Sequence, residues 1–405
     1  MVSEHVKNLP PPLAQFKEVQ PKYTAAQHEA WRYIRQVSHP FYLEHAHPSY
    51  LESIELLDIP IDTIPRIAHI DDKLSQVSFG AIGVNGFIPP RAFMALQYRG
   101  VTPISTDMRI PANIGYTPSP DIVHEGLGHT TMLANLEVRR ILQLFGELGI
   151  KAVSAPEDQE YYEATRHLSI LEEDFVTTEE QKKEANERWK LANKAAYDAA
   201  SDARRLSALH WFTVEFGLVK YNRESRIWGA ALISSIDEGR NYLNRTIRPL
   251  SLETAEAQYN ITIQQETLYE AESLDNILDI LEKFRGTMSG TSDVGIESII
   301  KPEERTHKFR PTEKQKRLNR IYKAMRECRE QKRNTYWLRE SWQKLEKEHE
   351  DDWLAPLGIL EILTKGGFNP QLRSEIRASL EKKHGQSKDL EKLIGDGLAL
   401  FDKAA

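Results

Sequence analysis

The sequence contains one cysteine, Cys328, among its 405 residues. A single thiol cannot form an internal disulfide or a site with several cysteine ligands, so a metal ion would have to bind His, Asp or Glu. The sequence also lacks any run of about 18 apolar residues, and its N-terminus lacks the pattern of a signal peptide. These absences argue against a hydrophobic membrane span, and they predict a cytoplasmic protein with no membrane partner.

The chain has little excess charge of either sign. Its net charge is -7, from 53 basic and 60 acidic side chains, and charged residues make up 28% of the sequence. This balance argues against binding of nucleic acid over a large surface, although a local basic face can still contact an anionic partner. Together with a hydrophobic content of 40%, the composition predicts a folded globular protein and excludes a disordered chain or a coiled-coil rod.

Hydrophobic spacing and the distribution of Pro and Gly predict a mainly α fold with a few short strands. A helix is expected to begin after Thr24, a suitable N-cap, because Trp31 and Ile34 then share one face. Residues 59–117 contain too many Pro and Gly for long helices, which favours short elements and ordered loops. The charged, helix-rich stretch over about residues 158–205 is predicted to be an insertion at the surface.

A Gly/Ser/Thr-rich break near residues 289–295 predicts two regions, 1–292 and a helical extension over 293–405. Between Arg305 and Arg333 the extension has 12 basic and 3 acidic side chains beside an apolar helical stripe. Such a helix is expected to dock on an acidic surface or to join copies of the chain in a homo-oligomer. A helical binding or scaffold protein is therefore the alternative to an enzyme.

The most specific local pattern lies in residues 121–129, where His124 and His129 are five residues apart. The zinc-peptidase pattern has its histidines four apart, which disfavours that class. On a regular α-helix a separation of five leaves two side chains about 140° apart, so a shared metal requires a loosened turn. Gly126 and Gly128 supply that freedom. From the residues alone, a two-histidine metal site and two histidines packed in a helix remain open.

Glu215 lies among apolar neighbours, where an ionised carboxylate is unfavourable unless a cation or a hydrogen-bond donor compensates it. It is the best candidate for a third ligand, because two imidazoles and one carboxylate form the facial triad that binds non-haem Fe(II). A buried ion pair with an arginine is the other interpretation of this glutamate.

Four separated motifs together resemble the pterin-dependent aromatic amino acid hydroxylases, the family of phenylalanine, tyrosine and tryptophan hydroxylases. They lie in residues 116–121, 124–129, 211–218 and 229–235, and similarity is visible from about residue 23 to residue 284. The resemblance implies a catalytic domain of this type in residues 1–292. It also implies that residues 229–235 form a strand and a turn.

The resemblance further implies Fe(II) and a tetrahydropterin as cofactors, with an aromatic amino acid and molecular oxygen as substrates. The implied iron ligands are His124, His129 and Glu215. The residues implied to bind the pterin are Gly86, Phe87, Ile88, Phe93 and Glu125. Those implied to bind the amino acid are Arg109, Thr117, Asp121, Trp211, Ser234 and Ile261, with Glu125 and Trp211 as catalytic residues.

The resemblance implies ring hydroxylation, with phenylalanine converted to tyrosine as the preferred reaction. Trp211 is the residue typical of the phenylalanine and tyrosine enzymes, and an indole in the wall leaves less room for an indole substrate. Ile261 is closer to the tryptophan enzymes, so a tryptophan hydroxylase remains an alternative. Against the family pattern, the segment between His129 and Glu215 is longer by roughly 45 residues.

Overall fold

The computed structural model describes residues 2–109, 120–173, 179–261 and 264–291, and Ala378 beyond them. The chain divides into two compact units, residues 1–166 with 187–308 and residues 167–186 with 309–405. Apart from Ala378, the proposed extension over 293–405 lies outside the described residues, so its helices and its docking role stay predictions. Among the described residues, no helix has the length and apolar character needed to cross a membrane.

Helices dominate the described residues, which confirms the predicted fold class. The α-helices are α1 (Glu4–Lys7), α2 (Pro11–Ala14), α3 (Ala25–His45), α4 (Ser49–Leu57), α5 (Ile67–Leu74), α6 (Pro90–Tyr98), α7 (Leu136–Lys151), α8 (Pro156–Glu173), α9 (Glu179–Ala199), α10 (Asp202–His210), α11 (Ala230–Ser234), α12 (Ile236–Arg240) and α13 (Leu274–Arg285). The strands are β1 (Gly80–Val84), β2 (Val101–Ser105), β3 (Gly217–Tyr221), β4 (Glu224–Ile227), β5 (Thr246–Pro249) and β6 (Thr267–Ala271). Two π-helices, His124–His129 and Trp211–Glu215, complete the list of elements that matter for the site.

Helix α3 begins where the sequence predicts. The Thr24 hydroxyl accepts a hydrogen bond from the Gln27 backbone N–H at 3.3 Å, and the Gln27 side chain accepts one from the Thr24 N–H at 2.9 Å. This reciprocal capping box satisfies two N–H groups that have no partner inside the helix. The face that carries Trp31 and Ile34 is buried in the core, as the spacing requires.

Two small sheets organise the chain around the helices. Strands β1 and β2 pair in parallel, with Gly80 opposite Val101 and Val84 opposite Ser105. The second sheet has the order β4-β3-β6-β5, in which β3 is antiparallel to β4 and the other pairs are parallel. Because parallel strands end at the same edge, the loop after β1 and the segment after β2 emerge side by side.

Residues 229–235 do not form the strand and turn that the family resemblance implies. They contain α11 (Ala230–Ser234), and the Ser235 hydroxyl then accepts a hydrogen bond from the Glu238 N–H at 3.3 Å to begin α12. Alanine favours a helix over a strand, and a serine N-cap starts a second one. The helix packs against the first π-helix so closely that a Cβ on Gly128 would lie 2.6 Å from the Ala230 carbonyl oxygen.

Candidate metal centre and its cavity

The first π-helix explains how histidines five residues apart can share a metal. In a π-helix the hydrogen bonds run from residue i to residue i+5, so side chains with this spacing lie above one another. The Nε2 atoms of His124 and His129 are 3.1 Å apart. Position 128 requires glycine, because a Cβ there would clash with α11. A Cβ on Gly126 would meet its nearest neighbour at 3.6 Å, which is an ordinary van der Waals contact.

Two threonines that directly follow the π-helix in sequence support its wide turn. The Thr130 hydroxyl donates to the Gly126 carbonyl at 2.7 Å, and the Thr131 hydroxyl donates to the Leu127 carbonyl. Both threonines are buried, and their hydroxyls supply donors to backbone carbonyl groups of the π-helix. The hydroxyl groups therefore stabilise the backbone that presents both histidines.

The third ligand candidate ends a second π-helix. Helix α10 ends at His210, the π-helix runs from there to Glu215, and β3 begins at Gly217. The hydrogen bond from the Phe216 N–H to the Trp211 carbonyl, at 2.9 Å, spans five residues and marks the wide turn. Apolar spacing alone cannot distinguish a π-turn from an α-turn, which is why the sequence did not reveal it.

The three predicted iron ligands lie together. Glu215 places one carboxylate oxygen 3.3 Å from His124 Nε2 and the other 3.3 Å from His129 Nε2. All three ligand atoms lie within 4.8 Å of one another, and they form the metal-binding group found among the described residues. Burial opposes ionisation of Glu215, but the adjacent imidazoles outweigh it and hold the pKa of this carboxyl well below its usual range. An ionised carboxylate with two imidazoles suits a divalent cation.

Hydrogen bonds orient the His124 ring and connect it to Arg109. His124 Nδ1 lies 2.9 Å from the Ser234 hydroxyl, and the Ser234 carbonyl accepts a hydrogen bond from Arg109 at 2.8 Å. A partner on the second ring nitrogen fixes the tautomer that leaves Nε2 available to a metal. Ser234, implied by the resemblance to bind substrate, thus also supports the metal site.

Arg109 is buried, with 5% of its surface exposed, and it forms two side-chain hydrogen bonds of 2.9 Å to the carboxylate of Asp121. Burial opposes ionisation of Asp121, but the guanidinium charge and hydrogen bonds outweigh it and hold its pKa below the usual range. Asp121 also accepts the Arg109 and His124 backbone N–H groups at 2.7 and 2.9 Å. Asp121 therefore holds the Arg109 side chain in place, and it is not among the residues that line the cavity.

A cavity of about 450 Å³ opens beside the ligand group. Most of the residues implied by the family resemblance line it, although they come from six separate parts of the chain. These are Gly86, Phe87, Ile88, Phe93, Arg109, His124, Glu125, His129, Trp211, Glu215, Ser234 and Ile261. Thr117 lies outside the described residues.

Comparison with known proteins identifies the family to which this site belongs. The profile of the family described as "Biopterin-dependent aromatic amino acid hydroxylase" matches residues 14–188 and 189–331. The chain belongs to this family. The match confirms the predicted family and its pterin cofactor, and it favours an enzyme over a helical scaffold protein.

The relatives of this hydroxylase-family chain differ in substrate and in ring position. Phenylalanine 3-hydroxylase of Streptomyces coeruleorubidus is 26% identical over 273 residues, which are 67% of this chain and 82% of the relative. Phenylalanine-4-hydroxylase of Pseudomonas aeruginosa is 24% identical over 260 residues, 64% of this chain and 79% of that enzyme. Tyrosine 3-monooxygenase of Canis lupus familiaris is 26% identical over 271 residues, 65% of this chain, and the match spans 46% of the dog enzyme.

Solved structures agree on the fold. The iron(III)-bound crystal structure of Chromobacterium violaceum phenylalanine hydroxylase superposes with a TM-score of 0.53 at 22% sequence identity. The similarity covers 67% of this chain and 86% of that one. At this identity the comparison establishes the architecture of the catalytic domain.

The wall of the hydroxylase cavity next to the metal ligands combines a glycine turn, an aromatic ring and a buried carboxyl group. Gly86 has a φ of +53°, a left-handed backbone that glycine adopts without strain, and it leads from β1 into the loop before α6. Phe93 of α6 lies edge-on to His129, with ring centroids 6.5 Å apart. Glu125 Oε2 is buried without a hydrogen-bond partner among the described residues, and burial raises the pKa of Glu125 to about 8.

His210 belongs to this site but was missed by the sequence reasoning. It lines the cavity with 8% exposure, and its Nδ1 lies 3.8 Å from Glu215 Oε1. Burial lowers the pKa of His210 to about 4, so the ring is neutral near pH 7. The sequence spacing could have indicated His210, because His210 and Glu215 have the same separation of five residues as His124 and His129.

Helix α8 also lines the cavity, although its residues were assigned to a surface insertion. Tyr161, Tyr162, Thr165 and Arg166 face the same space as the metal ligands. The charged residues on the rest of α8 are typical of a solvent-exposed helix. Sequence spacing cannot show what the tyrosines of this helix contact. The stretch 158–205 is therefore part of the wall of the site as well as of the surface.

Proposed function

We propose that this protein is an iron- and tetrahydropterin-dependent monooxygenase that hydroxylates the ring of phenylalanine to give tyrosine. The observation that carries the proposal is the group of His124, His129 and Glu215 beside a cavity of suitable size, in a chain of this family. When both are bound, Fe(II) and the reduced pterin supply the activation of molecular oxygen. Two of the relatives named above are phenylalanine hydroxylases, which supports phenylalanine as the substrate.

The donor set fits iron, and the wall beside it fits a pterin. Two neutral imidazoles and one carboxylate leave coordination positions open, and Ser234 holds the ring of His124 in place. Phe93 offers a ring for stacking, and the unpartnered oxygen of Glu125 offers a hydrogen bond to a heterocycle.

Arg109 is positioned to bind the carboxylate of the amino acid. Asp121 fixes the plane of its guanidinium group, so that little side-chain entropy is lost when a carboxylate binds. Arg109 lines the same cavity as His124 and Trp211, which supports the proposal that the carboxylate anchor, the ring pocket and the metal surround one space. Holding a substrate in one orientation is a large part of catalysis by such a site.

Phenylalanine is proposed as the substrate because Trp211 narrows the cavity beside Glu215. The indole is wedged between Phe216 and Tyr259, at centroid distances of 4.8 Å to each, so it cannot easily withdraw for a larger substrate ring. Ile261 also lines the cavity and is the residue that favours tryptophan. The position of hydroxylation separates the two phenylalanine relatives, since attack at position 4 gives tyrosine and attack at position 3 gives meta-tyrosine.

The deciding experiment measures products from the iron-loaded protein supplied with a tetrahydropterin, oxygen and one aromatic amino acid at a time. We expect tyrosine from phenylalanine, at a higher kcat/KM than for hydroxylation of tryptophan or tyrosine. Faster formation of 5-hydroxytryptophan would overturn the choice of substrate. Meta-tyrosine as the main product would correct the ring position.

The metal assignment is tested with variants of two buried histidines. His129→Ala should abolish both iron binding, measured by elemental analysis, and product formation. His47→Ala is the matched control, because His47 is buried, contacts Ser49 at 2.9 Å and is not a member of the ligand group. Full iron content in His129→Ala would contradict the assignment.

A further inference from the structure

A buried arginine contacts three tyrosine rings at the cavity wall. The guanidinium carbon of Arg204 lies 4.3 Å from the ring centroid of Tyr161, 4.0 Å from that of Tyr197 and 4.6 Å from that of Tyr259. Arg204 is 4% exposed, and among the described residues no carboxylate forms an ion pair with it. The faces of aromatic rings attract a cation through their negative quadrupole, so the tyrosines compensate the charge that burial leaves without water.

Hydrogen bonds fix this cluster as well as the ring contacts do. Arg204 donates to the Tyr259 hydroxyl at 3.1 Å and to the Asn193 side-chain oxygen at 2.7 Å. The Tyr259 hydroxyl also lies 2.8 Å from the Ser207 hydroxyl, and the Tyr259 N–H donates to the Tyr197 hydroxyl at 2.7 Å. The backbone and the side chain of Tyr259 are therefore held from helices α9 and α10.

Tyr259 in turn supports the tryptophan beside the metal ligands. Its ring stacks on Trp211 with centroids 4.8 Å apart and planes 16° from parallel. The Trp211 Nε1–H donates to Gln265 at 3.2 Å, and the Tyr259 ring packs on the indole opposite Phe216, so that loss of its support would free the tilt of the indole on that side. Tyr161, Arg204, Ser207 and Trp211 all line the cavity. One continuous series of contacts thus runs from helix α8 through Arg204 and Tyr259 to Trp211.

We propose that Arg204 is a positioning residue that fixes the plane of Trp211 through Tyr259, so that helices α8 and α9 help to determine which aromatic ring the cavity accepts. The arrangement suits arginine, whose planar guanidinium can stack on several rings and donate in its own plane. The inference rests on the proposed function for its kinetic consequence. Its structural part, the orientation of Trp211, can be measured without turnover.

The test uses the full-length, iron-loaded protein labelled with 5-fluorotryptophan. The sequence has seven tryptophans, and the ¹⁹F NMR signal that disappears in Trp211→Phe belongs to Trp211. In Arg204→Met we expect this signal to shift while the other six and the iron content are unchanged. We also expect the ratio of kcat/KM for phenylalanine to that for tryptophan to fall by about tenfold, because the wall no longer resists the larger ring.

Arg205→Met is the matched control. Arg205 is the next residue of α10, and it pairs with Glu256 at 2.6 Å instead of entering the tyrosine cluster. It should leave the Trp211 signal and the substrate ratio as in the wild type. If Arg204→Met does not fold, Tyr161→Leu removes one ring at a partly exposed position and should give the same shift, whereas Tyr161→Phe retains the ring and should give a smaller one.

An unshifted Trp211 signal in a folded Arg204→Met protein, or in Tyr161→Leu, would overturn the proposal. So would an unchanged substrate ratio in a variant whose Trp211 signal has moved, because the selectivity would then not depend on the plane of the indole. If the wild-type protein hydroxylates no aromatic amino acid, the proposed function fails. The NMR signals then still decide whether Arg204 positions Trp211.

Discussion

Two arginines line the same cavity in almost complete burial, and their charges are compensated in different ways. Arg109 faces the Asp121 carboxylate, whereas Arg204 faces three tyrosine rings and donates to neutral oxygen atoms. Removal of either partner from the first pair leaves a formal charge buried alone. Loss of Arg204 leaves only neutral groups, so the second arrangement should tolerate change better.

The largest effect is expected from Asp121→Ala, which strips Arg109 of its carboxylate. Breaking a buried ion pair from one side destabilises a protein by about 3–5 kcal/mol, and we expect a loss of this size in urea unfolding. Asp237→Ala is the control, because Asp237 is exposed and should change the free energy of unfolding by no more than about 0.5 kcal/mol. A loss below about 1 kcal/mol for Asp121→Ala would show that the pair adds little to stability.

The next prediction compares the two arginines directly. Arg109→Met leaves the Asp121 carboxylate buried without its partner, at about 3–5 kcal/mol, whereas Arg204→Met leaves hydroxyl and amide groups, at about 1–3 kcal/mol. The free energies of unfolding of the two variants should therefore differ by about 2 kcal/mol. Equal losses would mean that the ring faces of the tyrosines hold their cation as strongly as the carboxylate holds the other.

A third prediction concerns the metal site, to which Ser234 connects Arg109 by hydrogen bonds. Ser234→Ala removes the hydroxyl beside His124 Nδ1 and should weaken iron binding by about 10- to 100-fold in a chelator competition. Ser207→Ala removes a hydroxyl from the Arg204 cluster and should leave iron affinity unchanged. Equal iron affinity in the two variants would show that the Ser234 contact does not orient the ligand.

The smallest effect is expected at Arg205, the neighbouring arginine of the same helix. Its side chain is 19% exposed and its partner Glu256 is 57% exposed, and an ion pair with such an exposed partner contributes about 0–1 kcal/mol. Arg205→Ala should therefore change the free energy of unfolding less than Arg204→Met does, and less still in high salt. A larger loss than for Arg204→Met would invalidate the contrast between an arginine paired with an exposed glutamate and one enclosed by tyrosine rings.

The candidate metal ligands could be named from the sequence because each carries a local signal, although only the family resemblance joined them into one site. His124 and His129 lie in one short segment, and Glu215 stands out as a carboxylate among apolar residues. The first π-helix was predicted only as a loosened turn and the second was not predicted, since the geometry of a turn depends on packing such as that of Gly128 against Ala230. The strand expected at 229–235 came from the family resemblance, and the residues themselves could not correct it because a short apolar run fits either a helix or a strand.

The tyrosine cluster could not be predicted. Its members, Tyr161, Tyr197, Arg204 and Tyr259, are spread over about 100 residues, and each alone is typical of a helix surface or a core. Only their convergence on one guanidinium gives them a role, and convergence is a property of the fold. The charged segment 158–205 was therefore assigned to the surface although one of its faces lines the cavity.

The wide turn at His124–His129 places this metal site one residue away from a different class of enzyme. A π-turn contains one residue more than an α-turn, and Gly126 is the position with room around it. Deletion of Gly126 would leave the letters HELGH, with the histidines four apart and a glutamate after the first, which is the pattern of zinc peptidases. The iron site takes its carboxylate from a distant helix, whereas the zinc site of those peptidases has both histidines on a single helix. In this segment of the chain, the two patterns differ by one glycine.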